Sequence, residues 1–131
     1  MINQIEIKNY KSIDYTKFEL KPFNLLIGAN GSGKSTLLEF IKNALSNFVN
    51  NQAFNGVPHI NHPSEPIISK IQILKDNLTY ELEFRQSSGI RIQQINPTGA
   101  VSINDKEKFI RVRYFNLNPK KICTPNPLNN N

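Results

Sequence analysis

Cysteine is scarce in this 131-residue sequence, and long apolar runs are absent. Cys123 is the only cysteine, so the chain can form no internal disulfide, and a reducing, cytoplasmic setting is expected. No stretch approaches the roughly 20 apolar residues that a membrane-spanning helix needs. The N-terminal residues MINQIEIKNYKSI mix acidic and basic side chains, which is not the pattern of a signal peptide. We therefore expect a protein with no membrane partner.

Acidic residues are fewer than basic ones. The sequence has 16 Lys and Arg against 10 Asp and Glu, which gives a net charge of +6. This excess suits an anionic partner such as a nucleotide or a nucleic acid, although a basic surface without such a partner would have the same composition. The length is that of one domain with a modest core.

Glycine is also scarce, and half of it lies in one place. Three of the six glycines fall within residues 28 to 36, GANGSGKST. The preceding run FNLLI, residues 23 to 27, is typical of a central strand buried on both faces. From Lys34 to about Asn50 the apolar residues recur with helical spacing. The predicted inner face of this helix consists of Leu37, Leu38, Ile41, Ala44, Leu45 and Phe48.

The segment from Gly28 to Ser35 has the spacing G-x-x-x-x-G-K-[ST] of a phosphate-binding loop. Glycines let several backbone N–H groups turn inward around an anion, and the helix that follows presents its positive end. We expect Lys34 to reach the β- and γ-phosphates as the catalytic cation, Ser35 to bind Mg²⁺ and Thr36 to contact a phosphate oxygen. The predicted nucleotide-binding residues of the loop are Gly28, Ala29, Asn30, Gly31, Ser32, Gly33, Lys34, Ser35 and Thr36. The alternative is a glycine-rich turn that happens to precede a helix.

Alternating apolar and polar residues predict strands on both sides of this unit. Residues 2–8 and 15–20 precede the loop, and residues 71–75, 78–84, 89–95 and 100–104 are interpreted as an antiparallel meander, with a last strand at 109–117. Residues 1–50 thus contain strands, glycine loop and helix. Residues 51–66 form a long, mobile loop, residues 67–117 a strand-rich lobe, and residues 118–131 an extended tail.

Two stretches, IKNYKSI and FNLLIGANGSGKSTLLEFI, resemble the N-terminal segment of AAA-family ATPases allied to the RecF, SMC and Rad50 proteins. The segment YFNLNPKKICTPNPL is similar to the stretch after the antiparallel lobe in OLD-like and RecF-like ATPases. The resemblance is strongest over residues 1–45 and looser over the strand-rich region, which is similar to the antiparallel lobe of such heads. It implies an α/β fold, namely the N-terminal lobe of an ABC-type P-loop ATPase head with a mixed or antiparallel sheet around one P-loop helix. It implies ATP and Mg²⁺ as cofactors. It also places Lys11 and Ser12 near the nucleotide, although Lys11 could equally be a solvated strand-end lysine.

The sequence lacks other parts that this family needs for hydrolysis. An apolar strand ending in Asp-Glu would hold Mg²⁺ and orient the attacking water. None of Asp14, Asp76 and Asp105 follows four apolar residues, and no LSGGQ-like signature is present. We therefore expect the front half of an ATPase head, which alone binds nucleotide poorly and hydrolyses ATP hardly at all. The incomplete core would leave apolar surface exposed, and this predicts association with a second copy or a partner chain.

Two main functional hypotheses follow. The chain is the ATP-binding lobe of an ATPase that works as a head-to-head dimer in DNA repair, DNA maintenance or defence against foreign DNA. Alternatively, it is a truncated remnant or a module that binds nucleotide or nucleic acid without turnover. A small-molecule kinase is a third option, but no acceptor-binding lid is recognisable.

Two smaller patterns carry less weight. His59 and His62 form H-x-x-H in the long loop, which we interpret as two loop histidines, since zinc would need further ligands. A basic group near the C-terminus could be a nucleic-acid surface or a solvated strand face. Its members are Lys106, Lys108, Arg111, Arg113, Lys120 and Lys121, with Tyr114 and Phe115 beside them.

Overall fold

Six strands and one long helix make up most of the computed structural model, which describes residues 1–29, 33–101 and 106–110. The strands are β1 (Ile2–Tyr10), β2 (Ile13–Glu19), β3 (Ile68–Lys75), β4 (Leu78–Arg85), β5 (Arg91–Asn96) and β6 (Thr98–Ala100). The helices are α1 (Lys34–Val49) and the short α2 (Lys106–Phe109). Neither helix is long and apolar enough to cross a membrane.

All six strands belong to one antiparallel sheet with the order β2-β1-β3-β4-β5-β6. The predicted α/β composition, with antiparallel strands and a helix, is confirmed to this extent. The sequence divided these strands between two regions on either side of the loop. In the structure β1 pairs with β3, so the N-terminal hairpin and the later meander form one surface. No local pattern encodes this pairing, because its partners are about 60 residues apart.

The alternating apolar residues of the strands line up across the sheet. Ile5 lies opposite Ile71, Ile71 opposite Leu82, and Leu82 opposite Ile92, which gives a continuous apolar row across four strands. Helix α1 belongs to the same core cluster. Its buried residues are Phe40, Ala44, Leu45 and Phe48. Of the predicted inner face, only Leu38 is exposed, and the prediction overlooked Phe40.

Four buried aromatic rings join the helix to the sheet and to the long loop. The ring of Phe40 on α1 lies 5.4 Å from that of Tyr10, 5.8 Å from that of Phe54 and 6.1 Å from that of Phe84, each edge to face. Such pairs add to the free energy gained by burying the rings. The helix is therefore fixed on the sheet by Phe40, in its second turn.

Residues 51–66 contain no helix or named strand, and this segment packs against the core. Phe54 is fully buried and forms an isolated β-bridge with Ser88. Gly56 lies so close to Tyr10 that a Cβ atom added there would be 2.8 Å from Cε2 of the ring. Any larger residue at position 56 would have to displace a buried ring.

The prediction of a buried central strand at residues 23–27 is wrong. The segment is extended, forms no strand pair and is largely exposed, with Phe23 at 82%, Leu25 at 70% and Ile27 at 85% of full exposure. The prediction rested on apolar composition, but burial also needs neighbours, and none of the described strands lies beside this run. The expectation of exposed apolar surface agrees with this arrangement. The predicted strand at 109–117 begins with Phe109, which the structure places in α2 instead. Residues 111–117 and the tail at 118–131 lie outside the described residues.

Candidate functional site

The glycine loop connects the exposed segment 23–27 to α1. Gly33 is the N-cap of the helix and has φ of 94°, in the left-handed region that favours glycine. Its carbonyl oxygen accepts the first helical hydrogen bond, 2.9 Å from the N atom of Leu37. Open space surrounds the position where a Cβ would stand, so the backbone angle rather than crowding requires glycine here. Asn30, Gly31 and Ser32 lie outside the described residues.

The N-terminus of α1 has the features of an anion-binding helix end. Its N-cap residue, Gly33, has no side chain that could cap it, and its first turn contains no acidic residue. The first N–H groups of a helix lack intrahelical acceptors, and the helix dipole makes this end positive. An anion placed here would meet several backbone donors and no competing carboxylate.

Lys34, the first residue of α1, folds back over the loop. Its ammonium group donates hydrogen bonds to the carbonyl oxygen of Gly28 and, at 2.7 Å, to that of Ala29. The cation therefore lies between the beginning of the loop and the beginning of the helix. These backbone acceptors carry only partial charges, so a phosphate oxygen would be the stronger partner for the ammonium group.

The next two residues of the helix differ in their surroundings. Ser35 is exposed in the first turn. Thr36 is partly buried, and its hydroxyl oxygen accepts a hydrogen bond from the hydroxyl of Ser12 at 3.1 Å. Ser12 belongs to the two-residue turn between β1 and β2, so this contact joins the sheet to the first turn of the helix.

Lys11, the other residue of this turn, contacts the helix one turn further on. Its ammonium nitrogen lies 2.5 Å from Oε1 of Glu39, and this hydrogen bond is the main reason why the pKa of Lys11 is raised above its ordinary value. Lys11 has φ of 48°, and its backbone N–H donates to the carbonyl of Val57 at 2.8 Å. The structure therefore places Ser12 beside the first turn of α1 and pairs Lys11 with a carboxylate.

A cleft of about 460 Å³ opens beside the glycine loop. It is lined by Ser12, Ile13, Asp14, Tyr15, Thr16, Phe18, Leu26, Ile27, Gly33, Lys34 and Leu37. Polar groups from the β1–β2 turn and the loop thus meet apolar side chains from β2 and residues 26–27. The space is contiguous with the N-terminus of α1.

The sequence profile of the AAA ATPase domain matches residues 1–126. The chain belongs to the AAA ATPase domain family. The resemblance inferred from IKNYKSI and the glycine loop is thereby confirmed at the level of this family, which supports the general ATPase class and implies the use of ATP. No curated protein gives a significant match to the chain.

A buried asparagine of this AAA ATPase domain was not singled out from the sequence. The side-chain amide of Asn9 is buried at the end of β1, donates to the carbonyls of Glu65 at 2.8 Å and His62 at 3.1 Å, and accepts from the N–H of His59 at 2.9 Å. In β1, Asn9 continues the series of inward positions that begins with Ile5 and Ile7. A polar residue at such a position was the feature of the sequence that could have singled it out. It fastens the long loop to the sheet.

One of the two loop histidines, His62, lies beside two acidic side chains. Nε2 of His62 lies 3.3 Å from Oδ1 of Asp14, and Nδ1 lies 3.5 Å from Oε1 of Glu65. Within the described residues no group of three His, Cys, Asp or Glu side chains could hold a metal ion. Cys123 lies outside them.

Only part of the basic group near the C-terminus of this AAA ATPase domain is described. The ammonium group of Lys106 donates to Oδ1 of Asn51 at 2.6 Å and lies 4.6 Å from the ring centre of Phe48. This lysine thus covers the end of α1. The remaining members lie outside the described residues or, for Lys108, have no described side chain.

Proposed function

We propose that this AAA ATPase domain binds the triphosphate of ATP at residues 28–36, with Lys34 as the principal cation. The observation that carries the proposal is the position of the Lys34 ammonium group, which donates to the carbonyls of Gly28 and Ala29 beside a helix N-terminus whose N-cap residue is a glycine. On binding, Lys34 exchanges these carbonyl acceptors for phosphate oxygens. The backbone N–H groups of the loop and of the first helical turn complete the anion site, with Asn30, Gly31 and Ser32 contributing as the motif implies.

Ser35 is the proposed protein ligand for Mg²⁺. Its exposed position in the first turn fits this role, because Mg²⁺ keeps several waters and takes few oxygen ligands from the protein, together with those of phosphates. The ion, when bound, neutralises charge on the triphosphate. Ser35 supplies a hydroxyl oxygen at the edge of the anion site, and Lys34 supplies the positive charge on the loop side.

The nucleoside is proposed to occupy the cleft beside the loop. This cleft adjoins Gly33 and Lys34, and it offers the apolar side chains of Phe18 and Leu26 together with the hydroxyl of Ser12. Mixed apolar and polar lining is usual for small-molecule sites.

We further propose that the chain is the ATP-binding lobe of a RecF-, SMC- or OLD-like ATPase that acts in the cytoplasm on DNA as a dimer or with a partner chain. The net charge of +6 and the sequence resemblance support a DNA partner. The exposed apolar residues 23–27 support association, because such a run is seldom left in water on a monomer. Hydrolysis then depends on groups supplied from outside these 131 residues.

The second candidate is a module that binds nucleotide without turnover. This candidate is favoured because neither of the two described aspartates lies at the end of an apolar strand, where a hydrolytic aspartate is expected. Asp14 lies on β2 opposite His62, and Asp76 lies in the β3–β4 turn with φ of 54°. Neither follows an apolar strand end, and Asp105 lies outside the described residues.

Titration of the wild-type chain with a fluorescent ATP analogue and Mg²⁺, alongside phosphate release, tests both candidates. Lys34→Ala is expected to weaken binding at least tenfold, and Lys42→Ala, which removes the same charge from an exposed position of the same helix, should leave it within twofold. Turnover that Lys34→Ala abolishes supports the ATPase, whereas binding without turnover supports the module. If Lys34→Ala leaves the affinity unchanged, the proposed site is wrong.

A further inference from the structure

The β1–β2 turn makes two polar contacts with one face of α1. Ser12 contacts Thr36 at 3.1 Å, and Lys11 contacts Glu39 at 2.5 Å. Positions 36 and 39 are three residues apart, so they lie on the same face of the helix in successive turns. The turn is itself fixed from behind by the hydrogen bond between Lys11 and the carbonyl of Val57.

The direction of the contact between the two hydroxyls matters for phosphate binding. The contact joins Oγ of Ser12 to Oγ1 of Thr36, and with Ser12 as the donor it uses only a lone pair of Thr36. A threonine hydroxyl has one hydrogen and two lone pairs, so Thr36 keeps its hydrogen for a different acceptor. A hydroxyl that already accepts a hydrogen bond is polarised and becomes a better donor. Thr36 is in the first turn of α1, two residues after Lys34, which is where the anion is proposed to bind.

We propose that Ser12 is a positioning residue for phosphate binding, which holds the Thr36 hydroxyl so that its O–H donates to a phosphate oxygen of the nucleotide. This rests on the proposed function. Ser12 acts through Thr36. Without the hydroxyl of Ser12, the O–H group of Thr36 is free to rotate and no longer points at the phosphate oxygen. The pair Lys11–Glu39 keeps the turn and the helix at the distance that the contact requires.

The test is a double-mutant cycle on the full chain, with affinity measured for the fluorescent ATP analogue and by competition with inorganic triphosphate. Thr36→Val removes the hydroxyl with nearly the same shape. Ser12→Ala and Thr36→Val are each expected to weaken binding by about fivefold, the usual worth of one hydrogen bond, and Ser12→Ala should have no further effect in the Thr36→Val background. Ser12→Thr, which keeps a hydroxyl, should restore most of the affinity. Ser46→Ala, which removes an exposed serine hydroxyl near the other end of α1, is the control and should bind as the wild type does.

The outcomes separate this inference from the proposed function. The same losses with inorganic triphosphate, at an unchanged melting temperature, support a role in phosphate binding, since a loosened fold would lower the melting temperature as well. Additive losses in the double variant, or a Ser12→Ala protein with wild-type affinity for triphosphate, overturn the positioning role while leaving the phosphate loop in place. If the chain binds no nucleotide, or if Lys34→Ala leaves its affinity unchanged, both the positioning role of Ser12 and the proposed function are wrong.

Discussion

The ammonium group of Lys34 donates a 2.7 Å hydrogen bond to the carbonyl oxygen of Ala29, five residues before it in the chain. The cation is thus held inside its own loop, where a triphosphate would replace the carbonyl as acceptor. The contact is exposed to water, and exposed polar contacts add little to stability. Loss of Lys34 should therefore affect folding little, whereas under the proposed function it weakens nucleotide binding.

The first prediction separates these two effects at Lys34. Lys34→Ala is expected to change the free energy of unfolding by less than about 1 kcal/mol, because the hydrogen bonds to the carbonyls of Gly28 and Ala29 are exposed to water. Urea unfolding, followed by circular dichroism, measures this. A loss of several kcal/mol would mean that the lysine holds the fold, and the binding defect of this variant could then not be assigned to the phosphate site.

The second prediction concerns two phenylalanines in opposite environments. Phe40→Ala is expected to cost about 3–5 kcal/mol, since the ring is fully buried among three other rings. Phe23→Ala removes the same side chain from a position that is 82% exposed and should change stability by less than about 0.5 kcal/mol. Urea unfolding of both variants provides the comparison. Equal losses would contradict the exposed position of residues 23–27.

The third prediction concerns the buried amide of Asn9. Asn9→Ala leaves the N–H of His59 and the carbonyl of Glu65 without their partner and is expected to cost about 1–3 kcal/mol. It should also make the loop easier to cleave, because the Asn9 amide holds three of its backbone groups against β1. Limited proteolysis with mass spectrometry would locate the cuts within residues 55–66. Asn24→Ala, at an exposed asparagine, is the control, and an Asn9→Ala loop as resistant as that of the control would refute the role.

The fourth prediction is a dependence of stability on alkaline pH. The pKa of Tyr10 is raised above its ordinary value of 10.0, chiefly because burial disfavours the phenolate and also because of the negative charge of Glu39. The unfolded chain therefore ionises this phenol at lower pH than the folded chain. Stability from this group is complete below about pH 10 and is lost as the pH rises through the raised pKa.

Tyr10→Phe has no phenol and should lose less stability than the wild type between about pH 9 and pH 11. Urea unfolding at stepped pH values measures the two slopes. Some slope should remain in the variant, because the raised pKa of Lys11 acts in the same direction and over the same range. Identical slopes would show that Tyr10 does not contribute.

The fifth prediction concerns the exposed apolar segment. Ile27→Lys places a charge on a side chain that is 85% exposed and is expected to reduce self-association of the chain, with little effect on folding. Ile60→Lys makes the same change at an equally exposed isoleucine of the long loop. Sedimentation velocity at several concentrations measures the outcome. If only Ile60→Lys reduces association, the contact surface lies on the long loop and the proposal for residues 23–27 fails.

The local pattern of apolar and polar residues was enough to predict several elements of the fold. The period of two at Ile5 and Ile7 and the helical spacing after Lys34 both predicted elements that the structure contains. The run FNLLI shows where pattern fails. Apolar composition gives the tendency to be buried, but the strands that would cover it are not among the described residues. The local pattern could not predict the pairing of β1 with β3 either, since these strands are distant in the sequence.

The sequence was enough to predict the part of the candidate site in which one motif determines both the backbone conformation and the functional side chains. The conformation of Gly33 and the place of Lys34 follow from the loop spacing. The contact between Ser12 and Thr36 could not be inferred in the same way, because it depends on how the β1–β2 turn lies against α1. Asn9 gave only a weak sign, a polar residue in an apolar alternation, and its acceptors lie more than 50 residues away.

The sheet keeps its hydrogen-bonded ladder without any residue from 21 to 29. The stretch that leads into the glycine loop can therefore shift, or acquire a new neighbour, without breaking a single rung. The hairpins and the aromatic cluster then act as a stationary frame beside residues 21–29. A partner chain that covered these residues would cost the sheet none of its hydrogen bonds.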